Sequence, residues 1–175
     1  MNKNKMNYSL TNKDIEKFLG PNHIIKYSEL SKYDDIDDVF GDNNFVVVLI
    51  ESKPRCGHWV NLILYPDKTI ECFDSYSGKI DDELKYVSNT MKHNLHEINF
   101  ALTELLHKRK TVWSTYRYQR LEDGIDTCGR WVILRIIMFV NGGMKLDAFE
   151  NWFKMMKKQF SKASNDELVC ALIRL

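Results

Sequence analysis

No apolar run of about 20 residues occurs in the 175-residue chain, so it offers no candidate membrane-spanning helix. The N-terminal MNKNKMNYSLTNKDI also lacks the apolar core of a secretory signal, so a soluble, intracellular protein without a membrane partner is expected. There is no CxxC pair. The four cysteines, Cys56, Cys72, Cys128 and Cys170, are scattered, which speaks against both a zinc site and a disulfide scaffold. A formal net charge of +1 excludes a molecule-wide field that would announce nucleic acid or an anionic membrane, leaving only local patches. Internal repeats, flexible linkers and low-complexity tracts are absent. Alanine is scarce, at four residues, and lysine outnumbers arginine 18 to 7, the bias of AT-rich coding DNA.

What is present is enough apolar sequence, 44%, for one compact domain spanning residues 1–175 with a core that needs no staple. LTNKDIEKFL reads as a short helix capped by Thr11 and stopped at Gly20-Pro21. FVVVLIES (45–52) reads as a strand buried on both faces, and HWVNLILYP and KTIECFDSY as a hairpin turning at Pro66-Asp67-Lys68. From Ile80, the spacing of Leu84, Val87, Met91, Leu95 and Ile98 predicts a long helix, and the pattern runs on, with or without a break, to Leu106. A further strand is expected from Thr111, with Gln119 at its end. Between Trp131 and Val140 only Arg135 is charged, so that helix is the central buried element, ended by Gly142-Gly143. Two amphipathic helices close the chain, the last capped by Ser164 or Asn165. The expected architecture is α+β, a mostly antiparallel sheet packed on a buried helix with flanking helices.

The chemistry points to one end of that buried helix. With Asp126 or Thr127 as its cap, Cys128 falls in the first turn, where unsatisfied N–H groups and the helix dipole favour a thiolate. Gly129 leaves room for a substrate backbone. A nucleophilic cysteine also needs a base, a group to orient it and donors for the oxyanion. His58 opens one strand of the hairpin and Asp74 closes the other, which brings them to the same edge of the sheet. Asp74 is expected to hold the imidazole through Nδ1 while His58 takes the thiol proton. Gln119 and the Cys128 backbone N–H would form the oxyanion hole.

GHWVNLILYPDKTIECFDSYSG followed by YQRLEDGIDTCG resembles the clan of cysteine proteases that contains the adenovirus maturation protease and the SUMO-specific proteases. The resemblance covers roughly residues 45–140 and rests on HW, DS, Q and CG in that order. It implies a papain-like core permuted so that His precedes Cys, with Cys128 as nucleophile, His58 as base, Asp74 as orienting carboxylate, Gln119 as oxyanion donor and Trp59 walling the cleft. The loop from Gln119 to Cys128 is a few residues longer than in those relatives, and the N-terminal Trp with which SUMO proteases close a tunnel over Gly-Gly is missing.

Size and compositional bias make the chain look like a virophage maturation protease of the Sputnik type. That resemblance implies viral capsid precursors as substrates, cut after small residues such as glycine, in the virion and the infected cytoplasm. A monomer without metal or other cofactor is expected, and activation by a peptide or DNA stays open. An isopeptidase acting on ubiquitin-like conjugates and a catalytically dead binding module are the competing readings. His23, His93, His96 and His107 lack the spacing of a metal site. The DDIDD run at 34–38 lacks the spaced oxygens of a calcium loop and reads as a solvated turn. Lys108-Arg109-Lys110 and the face of Lys154, Lys157, Lys158 and Lys162 are the basic patches available to DNA.

Overall fold

The computed structural model describes residues 5–53, 56–79, 81–94 and 100–175. Five strands, β1 (Ile24–Lys26), β2 (Phe45–Lys53), β3 (Cys56–Leu64), β4 (Ile70–Phe73) and β5 (Thr111–Trp113), lie in that order across one sheet. β2, β3 and β4 form the expected antiparallel meander, and β1 and β5 are added at its two edges in parallel. The fold is α+β with a mixed sheet.

Alternate residues of a strand face opposite sides, so a run apolar at every position must be covered twice. On β2, Phe45, Val47 and Leu49 enter one core while Val46, Val48 and Ile50 enter the other. The first core is filled by α1 (Asn12–Leu19) and by three helices later in the chain. The second is filled by a 3₁₀ segment (Tyr27–Lys32), by α2 (Ile36–Phe40), and by Leu84, Val87 and Leu102. α2 occupies the acidic run expected to be a solvated turn. Asp35 caps it by accepting the Asp37 N–H (2.8 Å), and Ile36 and Phe40 are buried. Arg109 donates to Asp37 (2.8 Å), so part of the basic cluster at 108–110 is committed to the chain's own acidic helix.

The long helix expected from Ile80 does not form. A 3₁₀ turn (Asp82–Tyr86) is followed by α3 (Asn89–Asn94) and α4 (Ala101–Leu106), while Leu95, His96 and Ile98 lie outside the described residues. The reason is visible at Asp81. Its carboxylate accepts the Tyr27 hydroxyl (2.7 Å) and both the backbone N–H (2.9 Å) and hydroxyl (2.7 Å) of Thr103. In a continuous helix Asp81 and Thr103 would stand about 33 Å apart. Leu84, Val87, Leu102 and Leu106 keep their apolar side inward, but on separate short elements.

β5 also stops early, at Trp113, and does not run to Gln119. Ser114 ends it, accepting the Tyr116 N–H (3.1 Å) and donating to Glu150 (2.7 Å), a local alternative to the sheet ladder.

α5 (Cys128–Gly142) is the buried centre. Trp131, Val132, Ile133, Arg135 and Ile136 are all fully covered, by the sheet on one side and by α1, α6 (Leu146–Gln159) and α7 (Asn165–Leu172) on the others. Arg135 is tolerated there because β4 supplies Glu71. Its Nε donates to Oε1 (2.7 Å) and its Nη2 to Oε2 (2.5 Å), and Phe149 packs against the guanidinium face. Tyr65 donates its hydroxyl to the same carboxylate and accepts the N–H of Leu146, which ties α6 into the network. Gly143, at φ 60°, terminates α5 in the left-handed region. Thr11 and Ser164 cap α1 and α7 with capping boxes. Among the described residues no helix is long and apolar enough to cross a membrane.

Candidate active site

The first residue of α5, the start of β3 and the turn after β4 meet at one end of the sheet around a cleft of about 160 Å³. His58, Tyr76, Gln119, Asp126 and Cys128 are among its lining residues. Thr127 is the N-cap, so Cys128 occupies the first helical position, with its thiol at the N-terminal end of the most buried helix in the fold.

His58 stands beside it on the same cleft. Its Nε2 donates to Asp74 Oδ1 (2.7 Å), and Cys128 is near enough to favour the charged ring. The ring is therefore turned opposite to expectation: Asp74 takes Nε2 and not Nδ1, leaving Nδ1 as the nitrogen for the thiol. The reason lies in the turn after β4. Asp74 is clamped by the backbone N–H groups of Tyr76 (2.8 Å, to Oδ1) and Gly78 (3.1 Å, to Oδ2), so its carboxylate is fixed and the imidazole fits to it.

Burial opposes a charge on His58, but the Asp74 hydrogen bond and charge, joined by Cys128, outweigh it and hold the imidazole well above its ordinary 6.5. Burial would raise Asp74, yet His58 and the two backbone donors hold it below its ordinary 3.8. A raised histidine contributes stability fully below its unfolded value and loses it as pH climbs through the folded one. A lowered carboxylate contributes fully above its unfolded value and loses it as pH falls through the folded one. The charged pair should therefore stabilise the fold most between pH 3.8 and 6.5. Urea midpoints of the wild type and of Asp74→Asn, measured across pH, should differ most in that window and converge as pH climbs through the raised His58 value. A constant difference would contradict the pairing.

Gln119 lies in the same cleft, 1% exposed, held by the turn that holds Asp74. The Ser75 carbonyl accepts the N–H groups of Tyr118 and Gln119 (both 2.9 Å), and the Ser75 hydroxyl donates to Gln119 Oε1 (2.9 Å). Gln119 Nε2 donates to the Ile125 carbonyl (2.9 Å) and to the Tyr76 hydroxyl (3.0 Å). The long loop to Cys128 thus folds back on Gln119 through Ile125.

Trp59 and Gly129 are not brought to the cleft. Trp59 is 4% exposed and donates Nε1–H to the Leu10 carbonyl (3.1 Å), on the α5 side of β3. A Cβ on Gly129 would sit 2.9 Å from Leu10 Cβ and 3.2 Å from Trp59 Cδ1. The space that Gly129 leaves is filled by the protein itself. Successive residues of β3 face opposite sides of the sheet, so His58 and Trp59 cannot share a face.

Ser75, Tyr76 and Asp166 were not anticipated as parts of the site. Tyr76 stacks on His58, with ring centroids 4.6 Å apart and planes 19° from parallel. Buried Asp166 on α7 accepts the Thr127 hydroxyl (2.6 Å) at the head of α5, and with its other oxygen the backbone N–H and Nε of Arg120 (3.3 and 3.4 Å). One carboxylate therefore sets both Cys128 and Gln119 through their chain neighbours. Asp166→Ala is expected to cost about 2 kcal/mol of stability by urea titration. Ser75 and Tyr76 directly follow Asp74 in DSY, a signal within reach of sequence. Asp166 is 39 residues from Thr127, and nothing local marks it.

No model of a known protein family matches the chain. Among solved structures it is similar to ChlaDub1 from Chlamydia trachomatis, at 12% identity over 94% of this chain and 76% of that one, with a TM-score of 0.39. It is also similar to a de-sumoylating protease, at 16% identity over 92% and 73%, with a TM-score of 0.38. The stronger likeness is in sequence. The Sputnik virophage protein V9, itself of uncharacterised function, is 34% identical over 167 residues, covering 92% of this chain and 91% of its own length, and the chain belongs to the family of that virophage protein.

Proposed function

We propose that the protein is a cysteine endopeptidase of the adenovirus-type clan that cleaves viral structural precursors during capsid assembly, after small residues such as glycine. The observation that carries the reading is the His58–Asp74 pair at 2.7 Å in one cleft with a cysteine at a helix N-terminus. His58 takes the Cys128 proton, and the thiolate attacks the scissile carbonyl carbon to form the S–C bond. The resulting oxyanion is held by the Cys128 N–H and by Gln119. The intermediate collapses with cleavage of the C–N bond, and His58 delivers its proton to the leaving amine. Water, deprotonated by His58, then adds to the thioester, and the returning thiol releases the carboxylic acid.

Membership in a virophage protein family and the resemblance of the HW, DS, Q and CG motifs support a viral precursor as substrate. Purified protein is to be incubated with virion precursor proteins and, separately, with SUMO and ubiquitin conjugates, using Cys128→Ala as the control. Cleavage of the precursors by the wild type alone is the expected result. Cleavage of conjugates alone would replace the maturation reading with the isopeptidase one. Loss of neither substrate would leave the binding module.

A further inference from the structure

We infer that Tyr76 is a gate that occupies the oxyanion site in the free protein and swings out when an acyl group enters. The inference rests on the proposed role of Gln119 and on three features of the cleft.

The first is the state of the Gln119 amide. The Ile125 carbonyl can only accept, which fixes the amide end facing it as Nε2. Of the two Nε2 hydrogens, one goes to Ile125 and the other to the Tyr76 hydroxyl at 3.0 Å. That distance lies within the range of about 2.7–3.1 Å at which a donor holds an oxyanion. The Tyr76 oxygen therefore takes the hydrogen that an oxyanion would need from Gln119, and Gln119 has none left for a substrate until Tyr76 leaves.

The second feature is the ring, stacked on His58 at 4.6 Å, which covers one face of the base as the hydroxyl fills the hole. The third is the rigidity of the backbone beneath it. The Tyr76 N–H is bonded to Asp74 Oδ1, and the next two residues fold back onto Asp74 through the Ser77 and Gly78 N–H groups. Moving that backbone would break the carboxylate clamp, so the gate opens by rotation of the Tyr76 side chain alone. Tyr76 is half-buried, so part of the residue already meets solvent.

A closed gate lowers the fraction of competent enzyme and so weakens apparent affinity without changing the chemistry once the substrate is bound. Tyr76→Phe keeps the ring and removes the oxygen. It is expected to lower KM for a glycine-containing peptide substrate, and the Ki of N-acetyl-glycyl-glycinal, by about three- to tenfold, with kcat moving by less than about twofold. The aldehyde forms a hemithioacetal whose oxygen needs the hole, so it reads the gate directly. A higher KM, or a kcat at least about tenfold lower, would show that the hydroxyl assists the reaction and would overturn the gate.

A second measurement needs no substrate. The chain has two glutamines, Gln119 and Gln159, so the side-chain amide NMR spectrum contains one internal reference. In the free wild type both Gln119 Nε2 hydrogens should exchange with water slowly, and in Tyr76→Phe one should exchange at least about tenfold faster. Wild-type Gln119 exchanging as fast as Gln159 would overturn the gate even in an active protease. Failure of Cys128 to react at all would count instead against the proteolytic reading.

Discussion

His58→Ala is expected to lower kcat for peptide hydrolysis at least about a thousandfold, with KM changed little. His58 is the only imidazole placed against Cys128 among the described residues, and Asp74 fixes both its orientation and its charge. On the proposed mechanism, removing the ring takes away the base for the thiol, the acid for the leaving amine and the base for the deacylating water together. Asp74→Asn should cost less, about a hundredfold. The asparagine oxygen can still accept from one side, but its amide nitrogen then meets a donor, either the pair of Nε2–H and Tyr76 N–H or the Gly78 N–H. A urea titration of each variant, run beside the kinetics, separates lost chemistry from lost structure. A loss of activity far larger than the unfolded fraction explains, in a protein that still unfolds cooperatively, is the predicted pattern for His58→Ala.

The second large effect is on stability. Arg135→Ala should destabilise the protein by about 3–5 kcal/mol, because it strands Glu71 as an unpaired charge in the core. Glu71 and Arg135 are both fully buried, and the pair bridges β4 to α5. The same two elements carry the site, since Asp74 directly follows β4 and Cys128 begins α5. A loosened pair therefore displaces the nucleophile relative to the carboxylate that orients its base, and activity should fall along with stability. The double variant Arg135→Met/Glu71→Met removes both charges and should recover most of the lost stability. Chemical denaturation of the single and double variants measures this. A single variant costing less than about 1 kcal/mol would show that the pair is not what joins helix to sheet.

How much of this was legible in the sequence depended on the range of the interaction. β2 was readable because its run is apolar at every position, and the apolar circumference of α5 marked it as central before any packing was known. Thr11, Ser164 and Gly143 act within a turn of themselves and were readable as caps or terminators. His58, Asp74, Gln119 and Cys128 converge because a hairpin and a buried helix bring strand ends and a helix start to one edge, a consequence of topology that order along the chain already carries. What was not readable depends on distant partners. Asp81 bonds to Thr103, 22 residues on, and so breaks an apparent helix whose apolar spacing was otherwise sound. The side of the imidazole that Asp74 takes depends on the Tyr76 and Gly78 N–H groups. The burial of Trp59 beneath Leu10 depends on a segment 49 residues earlier. Gly129 was assigned to the substrate because a missing Cβ looks the same in sequence whether the space is left for a ligand or filled by Leu10.

The central claim is that His58 makes Cys128 the reactive thiol, and the other cysteines supply the comparison. Burial is the first cause that raises the thiols of both Cys72 and Cys170, and the Glu71 charge adds to it at Cys72. Alkylation of the native protein by iodoacetamide, followed cysteine by cysteine by mass spectrometry, tests the claim most directly. Cys128 should be modified at least about a hundredfold faster than Cys72 or Cys170, and that advantage should vanish in His58→Ala. Equal rates at the three thiols, or a Cys128 rate unmoved by His58→Ala, would contradict it.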